Sequence, residues 1–204
     1  MSDRAREWVA VLLAAGASSR MGESKAALRW RGDSFLGHGL RLARHAVGSE
    51  APVLVVEGAH PLDGLVDARL GAQRVTNLDW RRGPLSSLQC ALARPEATGR
   101  ACLVLSVDRP HLRESTLDAL RDAFHADPRR IWQPATGERR GHPIIWPADL
   151  CVALRKLQAT SSPRELLRKP EIAARRAGVP VDDPAIFDNI DDPDALARLR
   201  ALTP

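Results

Sequence analysis

Three short runs, Trp8–Leu13, Pro52–Glu57 and Ala101–Val107, are apolar at nearly every position instead of at every second one. A strand with one wet face alternates, so a strand that is apolar throughout has both faces covered. Between these runs lie stretches with helical spacing: Phe35–Val47, where Phe35, Leu36, Leu40, Leu42, Ala43, Ala46 and Val47 share a side, then Leu85–Leu92 opened by Pro84, and Glu114–Phe124. Doubly buried strands alternating with amphipathic helices predict a mainly parallel sheet between two helical layers, an α/β fold of three-layer αβα form. Weaker signals add short strands at Gln73–Thr76, Ile131–Gln133, Pro143–Trp146, Val179–Val181 and Ile186–Ile190. Further helices are expected at Asp149–Gln158, Pro163–Arg168 (with Ser162 as N-cap) and Pro193–Leu202. Ala159–Ser162 and Asp182–Pro184 read as loops, and no repeat or linker divides the chain. The 204 residues are therefore expected to form one domain over 1–204.

In sheets of this kind ligands sit beyond the carboxyl ends of the strands. The first strand ends in Leu13-Ala14-Ala15-Gly16, and small residues there let backbone N–H groups approach an anion closely. Arg20 and Lys25 then bring two cations onto the same loop, a pattern suited to a polyphosphate. It is not the P-loop, which needs Gly-Lys-Ser/Thr, nor the dinucleotide fingerprint Gly-x-Gly-x-x-Gly. A plain strand–loop connection with a solvated Arg and Lys is the alternative.

Two acidic places share that rim. Asp108 leaves the most apolar strand, where a carboxylate is a natural Mg²⁺ ligand beside substrate phosphates or, alternatively, a helix cap. The run Asp188-Asn189-Ile-Asp191-Asp192-Pro-Asp194 supplies either a second ligand, Asn189 or Asp191, or caps for the last helix. Asn77-Leu-Asp-Trp80-Arg-Arg-Gly83-Pro-Leu-Ser86-Ser87-Leu runs from a strand end into a helix start, so its hydroxyls and N–H groups would either contact a nucleotide or merely cap that helix. His142, in Gly141-His142-Pro143, is either a structural residue or a second-substrate contact. No Ser/His/Asp or Cys/His arrangement emerges.

Composition narrows the partners. The net charge is +5 and Arg far outnumbers Lys, yet aromatics make up only 4 % with no Tyr, and the cations are spread along the chain. Nucleic acid is therefore not expected, whereas small anions suit the charge. No apolar run approaches a membrane span and no signal peptide is read. Cys90, Cys102 and Cys151 show neither zinc spacing nor a disulfide framework, which fits a cytoplasmic protein with cysteines buried as small hydrophobes.

Taken together the motifs resemble the MobA-like nucleotidyltransferase family, and within it the molybdenum cofactor cytidylyltransferase (MocA-like) branch. The likeness rests on Leu13-Ala-Ala-Gly-Ala-Ser-Ser-Arg-Met-Gly-x-x-Lys25, Asn77-x-x-Trp-x-x-Gly83-x-x-Ser-Ser-Leu88, Asp108-x-Pro110, Gly141-His-Pro143 and the closing Asn189-Ile-Asp-Asp-Pro193-Asp, in order over almost the whole chain. The resemblance implies a Rossmann-like sheet of the nucleotide-diphospho-sugar transferase type. It implies transfer of CMP from CTP, with Mg²⁺, onto a phosphate of molybdopterin or the molybdenum cofactor, releasing pyrophosphate. Leu13–Gly16, Arg20, Lys25, Asn77, Gly83, Ser86 and Ser87 would bind the nucleotide, with Lys25, Arg20 and Asp108 catalytic. Asp108, Asn189 and Asp191 would hold the metal, and His142 and Arg109 the acceptor. A molybdoenzyme or its chaperone would be the protein partner. The resemblance pairs Ala14-Ala15-Gly16 with CTP and Ala-Gly-Gly with GTP, a methyl at position 15 narrowing the base pocket against a purine. GTP as donor, a sugar phosphate or other phosphorylated metabolite as acceptor, and a non-catalytic nucleotide-binding chaperone remain the alternatives. Asp192 stands where the family usually has Thr, and Arg109 where it more often has a neutral residue.

Overall fold

A computed structural model of the chain describes residues 7–158 and 161–201, so half of the expected Ala159–Ser162 loop and the end of the last helix lie outside the described residues. Strands β1 (Trp8–Leu13), β4 (Val53–Glu57), β5 (Ala72–Thr76), β6 (Ala101–Ser106), β7 (Ile131–Thr136), β9 (Ile144–Trp146) and β10 (Arg176–Pro180) form one sheet in the order β10-β7-β9-β6-β1-β4-β5. A short β8 (Arg139–Arg140) folds back on β7. The pairs β1–β4, β1–β6, β4–β5 and β7–β10 are parallel, while β9 runs antiparallel to both neighbours.

The continuous apolarity of β1 is used on both sides. Trp8, Ala10 and Leu12 enter one core, and Val9 and Val11 the other. The first core is roofed by α1 (Phe35–Val47), α3 (Glu114–Ala126) and α7 (Pro193–Ala201). The second is covered by α2 (Pro84–Leu92), α4 (Ala148–Lys156), α5 (Pro163–Arg168) and α6 (Pro170–Ala173). Helix α1 lies flush on the sheet because Gly39 carries no side chain; a Cβ there would meet Leu12 Cδ2 at 2.9 Å. This is the expected three-layer arrangement.

Several local expectations need correction. Ile186–Ile190 is not a strand. Pro184–Ile186 is a single 3₁₀ turn whose first N–H, that of Ala185, bonds to the Asp183 carboxylate, and the next residues run irregularly into α7. Its two isoleucines are fully buried, so the apolar pattern came from core anchoring and not from sheet pairing. The strand placed at Val179–Val181 starts earlier, at Arg176, because its partner is the lengthened β7. Ser162 stands at the N-cap of α5 without a side-chain capping bond, whereas the Asp192 carboxylate does accept from Ala195 N at 2.8 Å at the start of α7. A two-strand ribbon, β2 (Arg29–Trp30) with β3 (Asp33–Ser34), was not anticipated. Its two turn residues, Arg31 (φ 45°) and Gly32 (φ 82°), both take the left-handed conformation that tight hairpins favour. Cys102 and Cys151 are buried and Cys90 is half-buried.

Candidate functional site

From β1 the chain runs to β4 on one side of the sheet, and returns through β5 and α2 to β6 on the other side of β1. The sheet order reverses there, and the loops that follow the carboxyl ends of β1 and β6 border a crevice. Leu13 and Ser106 are register partners at that edge, Val107 N donates to Leu13 O at 3.1 Å, and Ala14 N donates to Val56 O at 2.9 Å. The cleft, about 230 Å³, is lined by Leu13–Gly16, Ser18 and Lys25 from one side and by Ser106–Asp108 from the other. Trp80 in the 3₁₀ turn before α2, with Gly83, Pro84 and Ser87 at the start of α2, complete it.

The loop after β1 is held by local bonds. Ser18 adopts φ 53°, and its hydroxyl accepts from Lys25 N at 3.1 Å, which folds Arg20 and Gly22 outward and turns Lys25 back to the cleft. A side chain built at Gly16 would enter open space, so the backbone there faces the cleft. The Lys25 side chain is 14 % exposed and the Arg20 side chain 65 %. Both reach the same partner across the molecule, Asp191: Lys25 Nζ donates to Oδ1, and Arg20 lies 3.1 Å from Oδ2. Burial raises the Asp191 pKa, but Lys25 and Arg20 outweigh it and hold the carboxyl below its usual value.

Asp191 arrives on a segment pinned to the sheet at several points. The buried Asp183 carboxylate accepts from Arg113 N at 2.9 Å, Thr116 Oγ1 at 2.7 Å and Ala185 N at 3.1 Å. Gly141 lets that segment approach β9, since a Cβ there would sit 2.5 Å from Ile186 O, and His142 N donates to the same carbonyl at 2.9 Å. Ile190 N donates to Asp108 O at 2.9 Å. Asn189 and Asp191, the other two oxygen-bearing candidates, are thereby docked near Asp108. Arg109 joins them, its Nη1 lying 3.5 Å from Asp108 Oδ1 and its Nη2 donating to Asn189 Oδ1. Burial pulls the Arg109 pKa down, but a guanidinium stays protonated at any working pH.

The structure therefore gathers Leu13, Ala14, Ala15, Gly16, Lys25, Gly83, Ser87 and Asp108 around one cleft; Asp191 joins through its ion pairs with Lys25 and Arg20, and Asn189 through the hydrogen bond it accepts from Arg109. Arg109 and His142 line a small neighbouring cavity that shares Ser106 with the cleft. The His142 ring keeps exposed surface yet is crowded; the crowding, with Arg109 and Arg164 nearby, lowers its pKa to about 4. Asn77 and Ser86 stand behind the wall. The Asn77 amide donates to Ser86 Oγ at 2.9 Å and Ser87 Oγ at 3.0 Å, and its Oδ1 accepts from Asp79 N at 3.0 Å. Asn77 is 1 % exposed. Its amide thus clamps the Leu78–Gly83 turn onto α2 instead of facing the cleft. Ser18, Trp80 and Pro84 also line the cleft, inside the Ala14–Lys25 and Asn77–Ser87 segments that the sequence pointed to, whereas sequence reasoning missed Ser106 and Val107. The signal for Ser106 and Val107 was present, because they end the third apolar run beside Asp108. A wider depression, about 680 Å³, lies far from these residues among Asp127, Arg129, Arg130, Asp149 and Arg175, where Arg175 and Asp149 are already paired at 2.6 Å.

Ala15 bears on the choice of base. It is 5 % exposed, and its methyl lies against Gly58, where an added Cβ would come within 2.8 Å of it and 2.7 Å of Trp80 Cβ. The methyl fills the space between β1 and β4 and does not stand free in the cleft.

The oxygens of Asp108, Asn189 and Asp191 are hard donors of the kind Mg²⁺ and Mn²⁺ prefer, so the donor set fits a divalent ion. Among the described residues no group of three or more His, Cys, Asp or Glu side chains is arranged to hold a metal. An ion here would rest on two carboxylates, an amide oxygen and substrate phosphates, the usual manner of magnesium with nucleotides. Among the described residues no helix is long and apolar enough to cross a membrane.

The chain is 35 % identical over 144 residues to a probable molybdenum cofactor guanylyltransferase of Opitutus terrae, covering 67 % of this chain and 65 % of that one. It is 34 % identical over 116 residues to the molybdenum cofactor guanylyltransferase of Xanthomonas euvesicatoria pv. vesicatoria, covering 56 % and 54 %. These alignments span less than two thirds of the relatives' own lengths. A nucleotidyl transferase from Methanothermobacter thermautotroptrophicus superposes with a TM-score of 0.74 at 25 % identity, over 96 % of this chain and 97 % of that one. Residues 10–176 match the model of the MobA-like NTP transferase domain, and the chain belongs to that family.

Proposed function

We infer that this chain transfers a nucleoside monophosphate from a nucleoside triphosphate to a phosphate of a molybdopterin-type acceptor, with GTP as the donor. The observation that carries the transfer is the convergence of Lys25, Gly16, Ser18 and Asp108 on one cleft at the point where the sheet order reverses. The guanine choice is supported by the two relatives named molybdenum cofactor guanylyltransferase. The cytidylyl reading rests on the Ala14-Ala15-Gly16 resemblance, and its steric argument weakens because the Ala15 methyl is packed against Gly58.

In this reading an oxygen of the acceptor phosphate attacks the α-phosphorus. A new P–O bond forms, the bond to the β-phosphate oxygen breaks, and pyrophosphate leaves with the electron pair. The attacking oxygen is already ionised, so no protein nucleophile or strong base is needed. A His142 with a pKa of about 4, neutral near pH 7, is compatible with that chemistry. The backbone around Gly16 and the side chains of Lys25 and Arg20 bind the triphosphate, and Lys25 neutralises charge as it moves toward the leaving group. Gly83 and Ser87 form the wall for base and ribose, with Asn77 and Ser86 holding that wall in place. Asp108, Asn189 and Asp191 would hold a divalent ion, which when bound supplies further charge neutralisation at the phosphates. Arg109 and His142 face the acceptor from the cavity that adjoins the cleft.

The test is a thermal-shift series with GTP, CTP, ATP and UTP plus Mg²⁺, followed by pyrophosphate release with molybdopterin. GTP should stabilise most, since ligand that binds only the folded state raises its stability by RT ln(1 + [L]/Kd). Stronger stabilisation and turnover by CTP would reinstate the cytidylyl reading, and turnover only with a sugar phosphate would replace the acceptor.

A further inference from the structure

We propose that the chain's own cations occupy the oxygens assigned to the metal, and that Arg109 is an internal counter-ion which a divalent ion must displace. The proposal rests on the metal assignment made above and concerns how that site is held before substrate arrives. All three oxygen donors are already engaged. Arg109 spans two of them, with Nη1 3.5 Å from Asp108 Oδ1 and Nη2 bonded to Asn189 Oδ1, and its side chain is 11 % exposed. Lys25 and Arg20 take the two oxygens of the third, Asp191. The buried Nε of Arg109 has no hydrogen-bond partner, so the guanidinium is held by its two oxygens and not by a full set of bonds.

A guanidinium and a dication that share the Asp108 and Asn189 oxygens repel each other strongly in a partly buried site, so binding of one opposes binding of the other. A metal ion alone therefore competes with Arg109 there and with Lys25 and Arg20 for Asp191. A triphosphate changes the balance. Its charges draw Lys25 and Arg20 away from Asp191, and the ion it carries then meets a freed carboxylate. Metal and nucleotide thus enter together, and the displaced Arg109 is left beside His142 and Ser106, on the side where a second phosphate would come.

Mn²⁺ titration of the full chain, read by the electron paramagnetic resonance signal of free Mn²⁺, tests this without turnover. Without nucleotide, Arg109→Gln should bind Mn²⁺ about tenfold or more tightly than wild type, since removing one unit charge a few ångströms away has that order of effect. Arg109→Lys, which keeps the charge, should bind much as wild type does. Equal Mn²⁺ affinity in wild type and Arg109→Gln overturns the proposal. Circular dichroism establishes that each variant is folded. Should Arg109→Gln fail to fold, Asp191→Asn carries the test: it frees Lys25 and Arg20, so metal-free tripolyphosphate should bind more tightly than to wild type by calorimetry. Unchanged or weaker binding refutes the idea. Wild type that holds neither GTP nor CTP with Mn²⁺ would remove the nucleotidyltransferase reading itself. Wild type that holds one of them, with no gain in Arg109→Gln, removes only the counter-ion.

Discussion

Replacing Asn77 by Ala separates a clamp from a ligand contact. The Asn77 side chain makes three hydrogen bonds, to Ser86 Oγ, Ser87 Oγ and Asp79 N, and is 1 % exposed. At about 1 kcal/mol each these bonds contribute roughly 3 kcal/mol, and stranded buried partners add to the loss. The loss is tempered at Ser86, whose hydroxyl still donates to Gly83 O at 2.8 Å, and it is fullest at Ser87, 3 % exposed, whose oxygen loses the Asn77 amide. A net cost of about 2–3 kcal/mol is expected. For a protein of this length that lowers Tm by roughly 4–12 °C, at about 2–4 °C per kcal/mol. Urea unfolding and calorimetry without ligand read it directly. Nucleotide binding should weaken as well, but as a rise in KM from a loosened Leu78–Gly83 turn, with kcat much less affected. If Asn77→Ala keeps wild-type stability and yet loses nucleotide binding, Asn77 touches the ligand and the clamp argument is wrong.

Lys25→Ala should lower kcat/KM by about 10²–10³, the scale seen when one donor that stabilises developing charge is removed, and Asp108→Ala should abolish metal-dependent turnover while circular dichroism stays native; full activity in either variant discards its role. Asp183→Ala removes a buried carboxylate that accepts three bonds and ties the Asn189–Asp191 segment to α3, so a loss of about 3–5 kcal/mol is expected by denaturant titration together with weaker nucleotide binding. An NMR pH titration should place the His142 midpoint below about 5, against the usual 6.5. The folded value lies below the unfolded one, so the unfolded chain protonates first as pH falls. The His142 contribution to stability is present above about pH 6.5, declines down to about pH 4, and should be absent from His142→Gln. A midpoint near 6.5 would mean that water at the exposed ring edge cancels the crowding.

The local chemistry of the elements was legible in the chain. Continuous apolar runs gave β1, β4 and β6, and apolar spacing gave α1, α2 and α3 nearly to the residue, because burial on one or both faces is written directly into periodicity. The loop from Ala14 to Lys25 and the place of Asp108 followed from the same strands. Failures came where apolar residues serve something other than a sheet or helix face. Ile186 and Ile190 look like strand residues but anchor a turn. Asn77 and Ser86 carry the motif of a nucleotide contact, yet their polar groups satisfy one another. The Arg31-Gly32 hairpin depends on two left-handed residues, only one of which is a glycine.

The layered sheet, the anion-suited loop at its edge, and the inventory of cations and carboxylates are written along the chain. Which of those charges meet is set by packing alone. Lys25 and Asp191 are 166 residues apart, and no local pattern pairs them. Their meeting follows from the reversal of sheet order between β1 and β6, from the missing side chain of Gly141 that admits the Ile186 turn, and from the Ile190–Asp108 bond that docks the segment. Periodicity is a property of neighbours along the chain. Charge pairing across the cleft is a property of distances in space, and those are fixed only when the whole sheet is packed.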